Sequence, residues 1–285
     1  MLVLAGTYPS LNCPLLTGVY ELRGTNIFLK DFKLEINRGT TALAATALLV
    51  CKELGLDAPY LCLAGDIGRG EGTHRVYSFL QKELAKLAPR VITFHYLLPD
   101  VDWQYKLFWA IEELPTKPFL IADAGHMYAA KMSGLAGKYD LFTPDLGELA
   151  FLADEKAPHP FYTRGFILHQ EEERETLLKR SYAHNNASTF MLVKGREDLV
   201  VERGVIRSKI DAPCVEALEA IGGTGDTLTG LVSALIYAGF DVPGAMELAA
   251  KVNRVAGAKT NPSPATQIET IIQKIPEALK EVKNA

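Results

Sequence analysis

Apolar runs rich in β-branched residues alternate with amphipathic stretches along most of this chain, and no other feature constrains its fold as tightly. "LVLAG" precedes "TALAATALLVCKEL", "YLCLAG" precedes "HRVYSFLQKELAKL", "RVITFH" precedes "VDWQYKLFWAIEEL", and "PFLIADAG" follows. Short apolar runs of this kind are strands buried on both faces, and the stretches between them are covering helices, so the pattern predicts a parallel sheet between helical layers. The order continues through "YDLFTPD", "ELAFLAD", a helical "EEERETLLKRSYAHN" and the strand "TFMLVKG". "DLVVERGVIRSKI" reads as a hairpin turning at Arg203 and Gly204, and three helices close the chain. Residues 15–36 read as short antiparallel strands forming a small flap between the first strand and the first helix. No linker, repeat or low-complexity tract divides the sequence, so residues 1–285 read as one domain.

Composition narrows the function classes. The 48% of apolar residues supports a sizeable core, while a formal charge of −4 and a pI near 5.9, without a Lys/Arg cluster, argue against a nucleic-acid surface. Small molecules are the expected partners, with a homo-oligomer left open. Cys13, Cys51, Cys62 and Cys214 stand far apart without metal-ligand spacing and read as reduced thiols of a cytoplasmic protein. The opening "MLVLAGTYPS" has no basic flank and is too short to span a bilayer, so it reads as a strand, with no membrane partner.

The chemistry gathers late in the chain, in "EAIGGTGDTLTGLVSALIYAGF". Gly222, Gly223 and Gly225 leave backbone N–H groups unshielded at a helix start, which makes an anion cradle. Asp226 beside such a cradle repels the anion, so it either caps the helix or acts chemically. The earlier "LCLAGDIGRGEG" lacks dinucleotide-fingerprint spacing, and the strand after it ends in "TFHY" rather than an acidic residue; a P-loop is absent.

Four separated pieces converge. Asp123 ends the strand of "PFLIADAG", Asp145 and Glu148 follow another in "LFTPDLGEL", "MLVKG" brings Lys194, and Asp226 follows the glycines. Carboxylates at the carboxyl rim of a parallel sheet, with a lysine and a glycine-rich helix start, suit Mg²⁺-nucleotide chemistry. Asp226 can then take a proton from a substrate hydroxyl while the N–H groups of Gly223, Thr224 and Gly225 stabilise the charge. Each residue also has a structural reading: Asp226 as a dipole-compensating carboxylate, Asp145 as an N-cap with Glu148 exposed in the first helical turn, Lys194 as a solvated strand end, Asp123 as a turn former. The six histidines, His95 among them, do not pair at metal spacing. The aromatic-rich segment 154–170 reads as either a flap or a docking loop.

Together, "TPDLGEL", "LVKG" and "GGTGDTLTGLVSALIYAG" resemble the ribokinase superfamily, and the late half is most similar to its NAD(P)H-hydrate dehydratase branch. "NRGTTALAATALLVCKELG" and "LCLAGDIGRGEG" occupy the places of the family's early helix start and substrate-side turn. The resemblance implies a three-layer αβα sandwich with ATP or ADP over the late loop near Lys194, Gly195 and Gly222. It implies also Asn253 near the adenine, Mg²⁺ near Asp145 and Glu148, and Asp226 as base, while Asp123 at its strand end reads as a substrate contact as readily as a turn former. The chain departs from the branch where Asp145 stands in place of a histidine, and "AGDIGRGEG" is closer to the kinases' turn. The expected activity is hydroxyl activation by phosphoryl transfer, either hydrated NAD(P)H dehydration or a sugar or vitamin-precursor kinase. A silent nucleotide-binding protein is the non-enzyme alternative, disfavoured by retention of Asp226.

Overall fold

The computed structural model describes residues 1–156 and 174–284. The strands are β1 (Leu2–Tyr8), β2 (Leu16–Val19), β3 (Glu21–Arg23), β4 (Asn26–Leu29), β5 (Phe32–Glu35), β6 (Tyr60–Gly65), β7 (Val91–His95), β8 (Phe119–Asp123), β9 (Leu141–Phe142), β10 (Phe190–Val193), β11 (Asp198–Glu202) and β12 (Val205–Ile210). The helices are α1 (Thr40–Glu53), α2 (Glu71–Leu87), α3 (Val101–Glu112), α4 (Gly125–Met132), α5 (Leu146–Ala153), α6 (Arg174–Ala183), α7 (Thr224–Tyr237), α8 (Val242–Lys259) and α9 (Ile268–Asn284). Most of segment 154–170 lies outside the described residues. Among those described, no helix is long and apolar enough to cross a membrane.

Among the described residues, nine strands form the main sheet in the order β12-β11-β10-β9-β8-β7-β1-β6-β2. From β10 to β6 the neighbours are parallel, and β2, β11 and β12 add antiparallel edges. The expected flap is a three-stranded antiparallel sheet, β3-β4-β5, but β2 leaves it to pair with β6. The hairpin between β11 and β12 turns at Arg203 and Gly204, both at positive φ.

Strand periodicity sorts the core into two layers. Leu2 and Leu4 of β1 pack with α1, α7, α8 and α9, while Val3 and Ala5 face the other way, toward α2, α3, α4 and α5. The chain is therefore an αβα sandwich with a mostly parallel sheet at its centre.

Helix α7 lies on this sheet through a polar seam. Thr229 Oγ1 donates to Asp123 Oδ2 at 2.6 Å, and Thr93 Oγ1 donates to Ser233 Oγ at 2.8 Å. Asp226, Thr229 and Ser233 follow helical spacing, so one face of an otherwise apolar helix is tied to β7 and β8. On its other side α7 approaches α1 so closely that a Cβ on Gly230 would sit 2.5 Å from the Leu43 carbonyl oxygen. Gly230→Ala gains about 1 kcal/mol in helix propensity, but the clash with backbone costs more, giving a net loss of roughly 1–3 kcal/mol. The denaturation midpoint is expected to fall; a rise would contradict this packing.

Candidate active site

The carboxyl ends of the parallel strands carry the site. In the register of β7 against β8, His95 stands opposite Asp123, and both side chains are 1% exposed. Asp123 Oδ1 accepts from Lys194 Nζ at 2.8 Å and from the Ala124 amide at 2.8 Å. Lys194, next after β10, is anchored by its own amide to the Pro144 carbonyl. Burial alone would lower the Lys194 ammonium, yet Asp123 and Glu148 beside it hold it above its ordinary value.

Asp145 and Glu148 form a capping box at the start of α5. Glu148 N–H donates to Asp145 Oδ1 at 2.7 Å, and Asp145 N–H donates to Glu148 Oε2 at 2.8 Å. Glu148 is buried rather than exposed, with Lys194 Nζ 3.9 Å away. Burial pushes its carboxyl well above the usual range, against the pull of Lys194. The donors here are all oxygen, and with Asp123 engaged by Lys194, the carboxylates of Asp145 and Glu148 form a pair that suits a hard divalent cation.

The glycine cradle opens α7. Gly223 is its N-cap at φ 105°, where a Cβ would also lie 2.8 Å from Ile268 Cγ1, so only glycine fits. Gly225 faces the Lys194 side chain, with Nζ 3.4 Å from where its Cβ would stand. Asn253 on α8 donates from Nδ2 to the Thr224 carbonyl at 3.0 Å and so braces the cradle from behind.

Asp226, in the first turn of α7, has its carboxylate at the cavity floor. His95 Nε2 lies 3.0 Å from its Oδ1, and the Gly39 amide donates to its Oδ2. Burial alone would raise this carboxyl, but the hydrogen bonds from His95 and Gly39, with Lys194 nearby, hold it below its ordinary value. Asp226 is therefore a buried carboxylate kept ionised.

These groups line one cavity of about 600 Å³, which takes in Asp226, Gly222–Gly225, Lys194, Gly195, Asp145, Glu148 and Asn253. Pro213, Val215 and Leu218 form an apolar wall, while Arg38 and Tyr96 line it from elsewhere in the chain. Asp123 contributes only to the floor, its oxygens engaged by Lys194, Ala124 and Thr229.

Sequence reasoning missed three contributors. Arg254 Nε bonds Asp198 Oδ2 at 2.8 Å, and its NH2 donates to the carbonyls of Gly195 and Arg196, fixing the turn after Lys194. Asp198 also accepts from Gly195 N–H at 3.0 Å. His95 is the third. Its signal was present, because a polar residue closing a buried apolar strand is the pattern that singled out Asp123.

This fold and rim define a ribokinase-like protein, a nucleotide-dependent enzyme of the carbohydrate-kinase-like class. A family model described as NAD(P)H-hydrate dehydratase matches residues 98–277, and the chain belongs to that family. It is 43% identical over 217 residues to an uncharacterized protein of Methanocaldococcus jannaschii, covering 76% of this chain and 89% of that one. It is 28% identical over 144 residues to the bifunctional NAD(P)H-hydrate repair enzyme Nnr of Pyrobaculum aerophilum, covering 50% of this chain and 26% of that one. Pyridoxal kinase from Staphylococcus aureus, solved with AMP-PCP and pyridoxal, shares the fold at a TM-score of 0.54 and 14% identity, covering 90% of this chain and 87% of that one.

The raised Glu148 carboxyl has a pH consequence. A carboxyl raised in the fold binds its proton more tightly than in the unfolded chain, so its stabilising contribution is present below the ordinary value of 4.5 and is lost as pH rises through the folded value. In EDTA, the stability of Glu148→Gln relative to the parent should therefore increase with pH above about 4.5. Urea unfolding at several pH values checks this, and a flat difference would contradict the raised carboxyl.

Proposed function

We propose that this chain uses ATP or ADP with Mg²⁺ to phosphorylate a small-molecule hydroxyl, and that the substrate is hydrated NAD(P)H. The observation that carries the reading is the Asp226 carboxylate, held by hydrogen bonds from His95 and the Gly39 amide, on the floor of a cavity beside the Gly223–Gly225 cradle. A carboxylate there repels phosphate, which serves nothing in binding alone. As a base, it takes the proton while the hydroxyl oxygen forms its bond to the terminal phosphorus and the bond to the departing nucleotide breaks.

The backbone N–H groups of Gly223, Thr224 and Gly225 hold the charge on the transferring group, and Lys194 and Gly195 face the phosphates. Gly222 completes the nucleotide side, where Asn253 supports the loop. Asp145 and Glu148 would hold Mg²⁺, which when bound neutralises phosphate-oxygen charge. Asp123, buried, serves by anchoring Lys194 rather than by direct substrate contact.

In hydrated NAD(P)H the phosphorylated carbon adjoins a ring nitrogen. The nitrogen lone pair expels phosphate, and loss of a proton from the neighbouring carbon forms the double bond. The products are NAD(P)H, phosphate and the nucleotide lacking its terminal phosphoryl group. Family membership and similarity to Nnr support this substrate. A kinase yielding a stable phosphate ester is the second reading, favoured by Asp145 at the dehydratases' histidine position and by the fold shared with pyridoxal kinase.

Incubation of hydrated NADH with Mg²⁺ and either nucleotide should restore the near-ultraviolet absorbance of NADH and release phosphate. If hydrated NADH is untouched while vitamin-precursor alcohols or sugars drive ATP consumption, the kinase reading replaces it.

Asp226→Asn should lower turnover about a hundredfold or more while nucleotide affinity holds or tightens slightly, because a repulsive charge is removed. Calorimetric titration beside the steady-state assay checks both halves, and near-normal turnover would sink the base assignment.

Asp145→Asn combined with Glu148→Gln keeps the oxygen acceptors of the capping box but removes its charge. The Mg²⁺ concentration for half-maximal activity should rise several-fold without a loss of melting temperature. An unchanged Mg²⁺ requirement would leave capping as their role.

A further inference from the structure

His95 ends β7 directly beneath the proposed base yet takes no part in the phosphoryl step. Its Nε2 lies 3.0 Å from Asp226 Oδ1 and 3.6 Å from Asp123 Oδ2, and its Nδ1 lies 3.1 Å from Thr40 Oγ1. Facing only carboxylate oxygens, Nε2 carries a proton; in the neutral ring Nδ1 then accepts from the Thr40 hydroxyl. Thr40 opens α1, so this bond ties the ring to a second element.

Ligand atoms of His95, Asp123 and Asp226 lie within 4.8 Å of one another, close enough to hold an ion. The oxygens are already committed, however. Lys194 and the Ala124 amide donate to Asp123 Oδ1, Thr229 to Asp123 Oδ2, and the Gly39 amide to Asp226 Oδ2. The trio is a hydrogen-bonded relay rather than a metal centre.

A carboxylate at the third position of a helix can reach back to accept from the N–H groups of that helix's own start. Here that would consume the donors the cradle offers to phosphate. Among the described residues, Asp226 accepts from His95 and Gly39, and no side chain caps the start of α7.

We propose that His95 is a positioning residue, which with Gly39 draws the Asp226 carboxylate off its own helix so that the cradle stays open and the base faces the hydroxyl. The proposal rests on Asp226 being the base. The charged or titratable groups around Asp226 are His95 and Tyr96 at the end of β7, Asp123 on β8, Lys194 after β10, and Arg38 before α1.

The test compares His95→Leu, which removes the donor, with His95→Gln, which restores an N–H. Turnover is measured alongside a ¹³C NMR titration of the Asp226 carboxyl, assigned with Asp226→Asn. In His95→Leu the Asp226 midpoint should rise by about one pH unit or more, and kcat should fall about 10–100-fold. Nucleotide Kd should weaken as well, by about a few-fold, because the released carboxylate turns back onto the N–H groups that the cradle offers to phosphate. His95→Gln should recover most of both. Should His95→Leu not fold, Thr40→Val, which removes only the Nδ1 partner, should move both readouts the same way to a smaller extent. An unmoved Asp226 midpoint with unchanged kcat, or equal loss in Leu and Gln, overturns the proposal. The titration needs no substrate, so it decides His95 even if hydrated NADH is not turned over, a result that would remove the substrate assignment alone.

Discussion

The site depends on keeping a carboxylate charged where little water reaches it. Asp226 is 8% exposed, and at that depth an ionised carboxylate is stable only when its oxygens receive hydrogen bonds. His95 and the Gly39 amide supply them, and both come from outside α7. Removing either donor would leave a buried charge short of a partner, so the strand end and the start of α1 are held to α7 by the same requirement that keeps the base ionised.

Around this anchor the charges balance in a chain. Lys194 compensates Asp123, and Asp123 in turn accepts from Thr229 on α7, the helix that carries Asp226. Breaking a buried pair such as Lys194–Asp123 costs about 3–5 kcal/mol, because the survivor is left uncompensated. Arg254 and Asp198 repeat the arrangement behind the turn at Gly195. The cavity floor is therefore a set of interlocking charges on four strands and three helices. Glu148 is the member least compensated by its surroundings, consistent with a place for an added cation.

Much of this was legible beforehand, for reasons that differ by residue. Asp123 and Lys194 could be read because each closes an apolar run, and the carboxyl rim of a parallel sheet collects such ends. Asp226 could be read from the glycines before it. His95 obeyed the Asp123 rule but was treated as one of six scattered histidines, since nothing local says that β7 lies beside β8. Arg254 and Asp198 carry no local signal of their pairing, which spans 56 positions of sequence. Glu148 was expected in either of two states, and its burial came from α5 packing down onto the sheet.

Local chemistry in the sequence by itself determined the strand–helix alternation, the hairpin at Arg203 and Gly204, and the cradle at Gly223, because periodicity and backbone freedom belong to a few consecutive residues. Tertiary structure alone decided that β2 would pair with β6 rather than stay in the flap, that Asp226 would lean on His95 and Gly39 instead of its own helix, and that Asn253 would brace Thr224. Those outcomes turn on which distant groups meet. A buried polar atom takes whichever partner the packing of the layers brings within about 3 Å, and no stretch of sequence names that partner.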